Sequence, residues 1–209
     1  RLSVSNYLAV DTSSRYLTVV ACKGEDRVVS HLADCAMNHS VVLMDEIDKA
    51  LDKAGLTPAE CDFFAAVTGP GSFTGIRIGV SCIKGYATAL GKRAVGVTAF
   101  ELISYNVNSD CDYLVAVDAA HGNYYVCGYN AHGVCNLQPC FMPREKLVDK
   151  GRPVYGFEEL SLPKYTKLEA KDCLCTAVEA VCADDCDITA LYVKKPQAEE
   201  ERAARLGLV

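Results

Sequence analysis

The sequence lacks the long apolar and strongly basic stretches that mark some common classes of protein. No run of about eighteen apolar residues occurs, which argues against a membrane span. The first residues also lack the apolar segment of a signal peptide. The net charge is −6, so this chain alone offers no large electrostatic attraction for nucleic acid. We therefore predict a soluble, cytoplasmic protein with no membrane contact.

Metal-binding patterns are missing as well. The chain has four histidines, and none is paired with another at the spacing of metal ligands. None of the twelve cysteines forms a Cys-x-x-Cys pair; the nearest approaches are Cys173 with Cys175 and Cys182 with Cys186. No histidine lies near either pair. We predict no metal site and interpret the cysteines as reduced, buried thiols that act as small hydrophobic groups.

A glycine-rich stretch lies between an apolar run and a predicted helix. It covers residues 69–79, reads GPGSFTGIRIG, follows the apolar run 63–67 and opens a helix predicted over 73–90. Glycines at such a junction let the backbone turn sharply or let another group approach closely. The spacing is wrong for a P-loop, and Thr74 stands where the third glycine of a dinucleotide fingerprint belongs. Ser72 is placed to cap the helix.

The chain reads as two similar halves. The first half has three strands joined by short turns, then a helix, a strand, the glycine-rich stretch with its helix, and a last strand. The second half starts the same way, because residues 114–118 repeat the pattern of 8–11. Its predicted elements are strands at 124–129, 134–137, 154–156 and 188–193, and helices at 143–150, 172–182 and 197–206.

This repeat predicts an α/β fold made of duplicated domains, of which the second is abbreviated. The first subdomain is predicted to cover residues 1–100, with the glycine-rich turn and the interface helices, and the second to cover 101–209. The helix at 197–206 could pack back onto the first subdomain. In the first half, the remaining predicted ranges are strands 7–10, 16–22, 27–32, 62–68 and 94–97 and a helix at 40–53.

A duplicated three-strand unit with an aspartate in its first turn resembles the actin-like, sugar-kinase and Hsp70 ATPase superfamily, whose domains are RNase H-like. Within it, the glycine-rich stretch resembles the signature of the TsaB (YeaZ-like) family. Further matches are residues 10–13, 39–40, 117–119 and the closing segment 191–199. In that segment Lys194 stands where the family usually has arginine.

The resemblance implies a non-catalytic subunit that supports formation of N6-threonylcarbamoyladenosine at position 37 of tRNA. The expected partner is a larger catalytic paralogue of the TsaD type, and a small ATPase subunit of the TsaE type would join through the complex. Alone, the chain is expected to form a homodimer and to contact tRNA only indirectly. No cofactor is expected to bind tightly, although ATP or ADP could bind in the assembled complex.

Two other functions stay open at this stage. In a weak ATPase or small-molecule kinase of the superfamily, Asp11 and Asp118 would serve the nucleotide, which makes Asp11 a candidate cofactor-binding residue. Against this, neither turn has the glycines that wrap a phosphate, so both aspartates also fit a role as acceptors within their own turns. A peptidase would need Ser72 or a cysteine as its nucleophile, and no His/Asp set accompanies them at a recognisable spacing.

The two helices of the first half are more apolar than a monomer surface requires. On the helix at 73–90, one stripe with Val80 and Ile83 should lie on the sheet, and a second stripe of small residues should admit a partner helix. The helix at 40–53 starts with apolar residues on every side. A loop of the same chain could instead cover them. The predicted interface residues are Val41, Val42, Met44, Asp45, Gly75, Ile76, Arg77, Gly79, Cys82 and Tyr86.

Overall fold

The computed structural model describes residues 5–35 and 37–181, which form ten strands and five α-helices. The first half contains β1 (Tyr7–Asp11), β2 (Leu17–Lys23), β3 (Asp26–Leu32), α1 (His39–Ala54), β4 (Phe63–Gly69), α2 (Phe73–Leu90), β5 (Arg93–Thr98) and α3 (Ala99–Ser104). The second contains β6 (Tyr113–Asp118), β7 (Asn123–Tyr129), β8 (Cys135–Pro143), α4 (Arg144–Asp149), β9 (Val154–Gly156), β10 (Tyr165–Lys167) and α5 (Ala170–Val181).

The strands form two five-stranded sheets with the same topology. In the first sheet the order is β3-β2-β1-β4-β5, and in the second it is β8-β7-β6-β9-β10. Each sheet begins as an antiparallel meander of three strands, and its last two strands then run parallel to the first strand. The mixed α/β class predicted from the sequence is confirmed. The duplication itself remains an interpretation of this shared topology.

The main core lies between the two sheets and is filled by α3 and α5. Phe100 and Leu102 of α3 and Leu174 and Val178 of α5 are all buried there, against apolar side chains of both sheets. The two predicted subdomains therefore share one core, and α3 crosses the boundary proposed at residue 100. The division into residues 1–100 and 101–209 stays a prediction, because the shared core does not mark where one unit ends.

The outer face of the first sheet is covered by α1 and α2. Helical spacing brings Leu43, Ile47 and Leu51 of α1 onto the strands, and all three are buried. From α2 the buried stripe includes Val80 and Ile83, as predicted. Because sheet one is covered on both faces, every residue of β1 and β4 is buried.

A polar clamp ties α5 to the edge of the first sheet. Glu179 accepts hydrogen bonds from Arg27 Nε at 2.6 Å and from Arg27 Nη2 at 2.8 Å, and a third from the hydroxyl of Tyr7 at 3.1 Å. The guanidinium–carboxylate pair is bidentate, and this arrangement fixes the relative orientation of the two groups. It fixes the carboxyl-terminal end of α5 on β1 and β3.

The short elements are where the structure departs from the sequence predictions. Helix α3, strand β10 and a single 3-10 turn at Pro58–Glu60 were not predicted. Helix α1 starts at His39, one residue before the predicted start at residue 40, and the side chain of Asn38 before it makes no capping bond. The predicted strand at 188–193 and helix at 197–206 lie outside the described residues. None of the described helices is long and apolar enough to cross a membrane.

Replacing Leu174 by alanine tests the shared core. Leu174 is 1% exposed, so the truncation should leave a cavity and lower the free energy of unfolding by about 2–5 kcal/mol. Thr176 on the same helix is exposed. The control variant Thr176→Ala should therefore change the free energy of unfolding by less than about 0.5 kcal/mol. Urea unfolding followed by circular dichroism measures both. Equal stability of the two variants would mean that α5 does not join the sheets.

Candidate protein interface

The glycine-rich stretch is the turn between β4 and α2, and it docks on the turn that follows β1. The backbone N–H of Ser72 donates to the carbonyl oxygen of Ser13 at 2.7 Å. The buried hydroxyl of Thr12 donates to the carbonyl oxygen of Gly75 at 2.6 Å. Ser72 caps α2, as predicted, by accepting from the N–H of Gly75 at 3.1 Å. These bonds fix the start of α2 on the first sheet.

The glycines make this approach possible. A Cβ on Gly71 would lie 2.1 Å from the carbonyl oxygen of Ser13, and one on Gly75 would lie 2.1 Å from that of Thr12. A Cβ on Gly79 would lie 2.5 Å from Thr12 Oγ1. No side chain fits at such distances. The prediction that Gly75 and Gly79 admit a partner helix is therefore wrong, because their neighbour is the first turn of the same chain.

Both turn aspartates accept hydrogen bonds within their own turns, as one of the two sequence interpretations predicts. Asp11 Oδ1 accepts from the N–H and the hydroxyl of Ser13, at 2.9 and 2.6 Å. Asp118 Oδ1 accepts from the N–H of Ala120 at 3.0 Å. Each aspartate thus stabilises its turn locally. Ser72, the candidate peptidase nucleophile, is engaged as the helix cap described above.

Three carboxyl groups lie close to these turns, those of Asp11, Asp118 and Glu158. Burial raises the pKa of Asp11, although the bonds from Ser13 act in the opposite direction. Glu158 accepts from the N–H of Asp118 at 2.9 Å, and its pKa is raised by burial and further by the charges of Asp118 and Asp11. Among the described residues, no group of three or more His, Cys, Asp or Glu could hold a metal ion. Binding of a cofactor at Asp11 stays a prediction.

The outward sides of α1 and α2 carry a cluster of exposed apolar groups. Met37, just before α1, is 90% exposed, Val41 is 73% exposed and Met44 is 47% exposed. The thiol of Cys82 on α2 lies 3.8 Å from the sulfur of Met44, which joins the two helices. Arg77 lies on the exposed side of α2. We call these five residues the α1–α2 face.

The other predicted interface residues divide by burial. Asp45 is exposed beside Met44, whereas Val42 is half-buried. Tyr86 is half-buried and stacks on Phe64 of the core, with ring centroids 5.4 Å apart. Ile76 is 1% exposed and packs in the core under α2. Its assignment to the interface is therefore corrected, as are those of Gly75 and Gly79, which are buried too.

Sequence reasoning missed Thr12, Ser13 and Met37. The two polar residues matter because of a contact with a turn roughly sixty positions away in the chain, which no local pattern reveals. Met37 could have been found, since it is an apolar residue directly before the cap of an apolar helix, the position of a hydrophobic staple. Here it is exposed instead of packed.

The model of the family described as "TsaD: tRNA N6-adenosine threonylcarbamoyltransferase" matches residues 33–200. The chain belongs to this family. Within the TsaD family it is a TsaB/YeaZ-like protein, which confirms the resemblance found from the glycine-rich stretch.

Curated relatives cover part of this TsaD-family chain. The tRNA threonylcarbamoyladenosine biosynthesis protein TsaB of Bacillus subtilis is 29% identical over 120 residues, which are 56% of this chain and 52% of that protein. An uncharacterized protein of Mycobacterium tuberculosis is 32% identical over 131 residues, 62% of this chain and 61% of that protein. The chain thus spans little more than half the length of the curated relatives it matches.

A solved structure matches more of this chain than the curated relatives do. YeaZ from Pseudomonas aeruginosa superposes with a TM-score of 0.70 at 21% identity, covering 86% of this chain and 92% of that one. The similarity is one of fold.

Gly75→Ala tests the docking of α2 on the first turn. The new Cβ would meet a backbone oxygen, so the variant should lose about 1–3 kcal/mol or more of stability. Gly85 lies on the exposed side of the same helix with nothing within 4 Å of an added Cβ. Gly85→Ala should therefore raise the free energy of unfolding by up to about 1 kcal/mol, because alanine has the higher helix propensity. Urea unfolding measures both, and a stable Gly75→Ala protein would contradict the docking.

Asp11→Asn tests the structural role of the first turn aspartate. An acid whose pKa is raised by folding favours the native state at low pH, and that contribution is lost as pH rises through the folded pKa. Asparagine keeps the acceptor oxygen and removes the buried charge. The variant should be at least as stable as the wild type at neutral pH, and its advantage should shrink under acidic conditions. Urea unfolding at both pH values, with exposed Asp52→Asn as control, checks this.

Loss of stability in Asp11→Asn at neutral pH would contradict that role. It would show that the carboxylate charge itself is needed in the native state.

Proposed function

We propose that this protein is a non-catalytic subunit of the machinery that forms N6-threonylcarbamoyladenosine in tRNA. In this proposal it binds the catalytic TsaD-type paralogue in the cytoplasm and supports its activity. The observation that carries the proposal is the α1–α2 face, an apolar cluster on two helices whose opposite sides are already packed against the sheet. The name of the Bacillus subtilis relative supports the pathway.

The composition of the α1–α2 face fits a protein partner. Methionine and arginine are enriched in interfaces, and contiguous exposed apolar groups on a soluble domain usually mark one. Met37, Val41 and Met44 expose large parts of their side chains, and Val41 and Met44 lie three positions apart on α1. Small exposed residues on α2, Ser81 and Gly85, would let the backbone of a partner helix come close. The alternative that a loop of the same chain covers this face has no counterpart among the described residues.

The charges around the face favour a partner that is built like this chain. Asp45 and Asp48 lie on the exposed side of α1, whereas Arg77 and Lys84 lie on that of α2. A two-fold or pseudo-two-fold arrangement would set the acidic helix of one molecule against the basic helix of the other. A paralogue of the same fold satisfies this, and so does a second copy. We therefore propose a heterodimer in the complex and a homodimer when the partner is missing.

The first turn supports a non-catalytic role. A phosphate would need free N–H groups after Asp11, but the N–H of Ser13 is bound to Asp11 Oδ1. Thr12 and the carbonyl oxygen of Ser13 are bound to the start of α2. These groups are therefore not free to bind a phosphate, and the acidic Glu158 nearby would repel one. ATP or ADP, the TsaE-type ATPase subunit and tRNA would accordingly engage the assembled complex through the paralogue.

Reconstitution tests the function. Purified catalytic paralogue, ATPase subunit, ATP, tRNA and an activated threonylcarbamoyl donor are combined with and without this chain. We expect sustained modification of tRNA only when the chain is present, and none from the chain alone. Modification that does not depend on this chain would overturn the proposed function.

Val41→Arg tests the proposed surface. A charge at the centre of an apolar contact should weaken binding of the paralogue by at least about 2 kcal/mol, roughly a thirtyfold rise in Kd. Val134 is 60% exposed in the turn between β7 and β8, so Val134→Arg is the matched control and should bind normally. Isothermal titration calorimetry gives the Kd, and unchanged urea unfolding shows that both variants fold. Tight binding by Val41→Arg would place the interface elsewhere.

A further inference from the structure

The hairpin of β7 and β8 holds two thiols in direct contact. The sulfur atoms of Cys127 and Cys135 lie 3.8 Å apart. Both thiols point at one acceptor, the carbonyl oxygen of Leu137, at 3.3 and 3.5 Å. The two thiols therefore face each other, which goes beyond lying on neighbouring strands.

An irregular register produces this contact. Tyr129 pairs with Cys135, Gly128 pairs with Leu137 and Val126 pairs with Cys140, so the register shifts twice within a few residues. At Gly128 the strands come so close that a Cβ there would lie 2.7 Å from Leu137 Cβ. Bulges of this kind re-aim side chains. Here the bulge turns Cys135 toward Cys127.

The two thiols differ in accessibility. Cys135 is exposed at the end of the edge strand, whereas Cys127 is buried beneath it. An exposed thiol beside a buried one is the arrangement in which the first can react with a small molecule and the second can resolve the product. A disulfide needs the sulfur atoms to come about 2 Å closer than they are, and of the two side chains the exposed Cys135 is the freer to rotate.

We propose that Cys127 and Cys135 are a redox pair that closes to an intrachain disulfide when it meets a small-molecule disulfide such as oxidised glutathione. The Cys135 thiolate attacks one glutathione sulfur, forms a mixed disulfide and releases one glutathione thiolate. Cys127 loses its proton and attacks the Cys135 sulfur, which releases the second glutathione thiolate. The two cysteines lose two electrons and two protons, and one oxidised glutathione becomes two reduced molecules.

The order of the steps follows from the environment of each thiol. Burial is the main cause that raises the pKa of Cys127 to about 12. Its thiolate is therefore scarce at neutral pH, and the second step should limit the rate and quicken as pH rises. Once closed, the bond would pin the edge strand β8 to β7 across the bulge and fix the turn 130–134, which displays Val134.

Mass spectrometry of the full folded chain tests the pair. The protein is incubated with oxidised glutathione, free thiols are alkylated under denaturing conditions, and chymotrypsin then cleaves between the two cysteines, after Tyr129. We expect a peptide pair joined through Cys127 and Cys135, lighter by about 2 Da than the two reduced peptides. Cys140→Ser, on the same strand, is the matched control and should give the same linked pair.

Cys127→Ser should stop at the first step and accumulate a glutathione adduct on Cys135. Cys135→Ser changes an exposed residue, so it should fold normally and show neither the adduct nor the link. Two results would overturn the proposal. One is a stable glutathione adduct on Cys135 in the wild type with Cys127 still reduced. The other is a link that forms only after the protein has been unfolded.

Discussion

The docking of one turn on another sets the geometry on which the rest of the structure depends. Thr12 and Ser13, in the turn after β1, bind Gly75 and Ser72 at the start of α2 through two short hydrogen bonds. Three glycines allow the approach because no Cβ fits there. Since both ends of this contact are backbone or rigid side chain, it fixes where α2 begins and how the helix is rotated about its axis.

That rotation decides which side of α2 is available to another protein. With Gly75 and Gly79 against the first turn, Val80 and Ile83 fall on the sheet and Arg77 points outward. Helix α1 packs beside α2, so the exposed Val41 and the neighbouring methionines continue the same outward surface. One side of each helix thus packs against the sheet, whereas Met37, Val41 and Met44 on the other side stay exposed among the described residues. This division supports the proposed role as a subunit that binds another protein.

Much of this could be predicted from the sequence, because it depends on local periodicity. The long strands and helices, the mixed α/β class and the local role of Asp11 all follow from patterns within a few residues. The short α3 and β10 could not, since they are too brief to show a period. The glycine-rich stretch could be predicted only in part. Its pattern predicts that another group approaches the backbone closely, but only the tertiary contact with Thr12 shows that this group is the first turn of the same chain.

Oxidative footprinting of the three methionines tests most directly whether the α1–α2 face is a protein interface, because two of them lie on that face and one lies in a core. Met37 and Met44 are exposed on the α1–α2 face, and Met142 is 7% exposed in a separate core. Brief hydroxyl-radical treatment and mass spectrometry compare the chain alone, diluted until size-exclusion chromatography shows a monomer, with the chain bound to the catalytic paralogue. We expect Met37 and Met44 to oxidise readily alone and to be protected in the complex, with Met142 slow in both. Equal oxidation of Met37 and Met44 in the two samples would contradict an interface at this face.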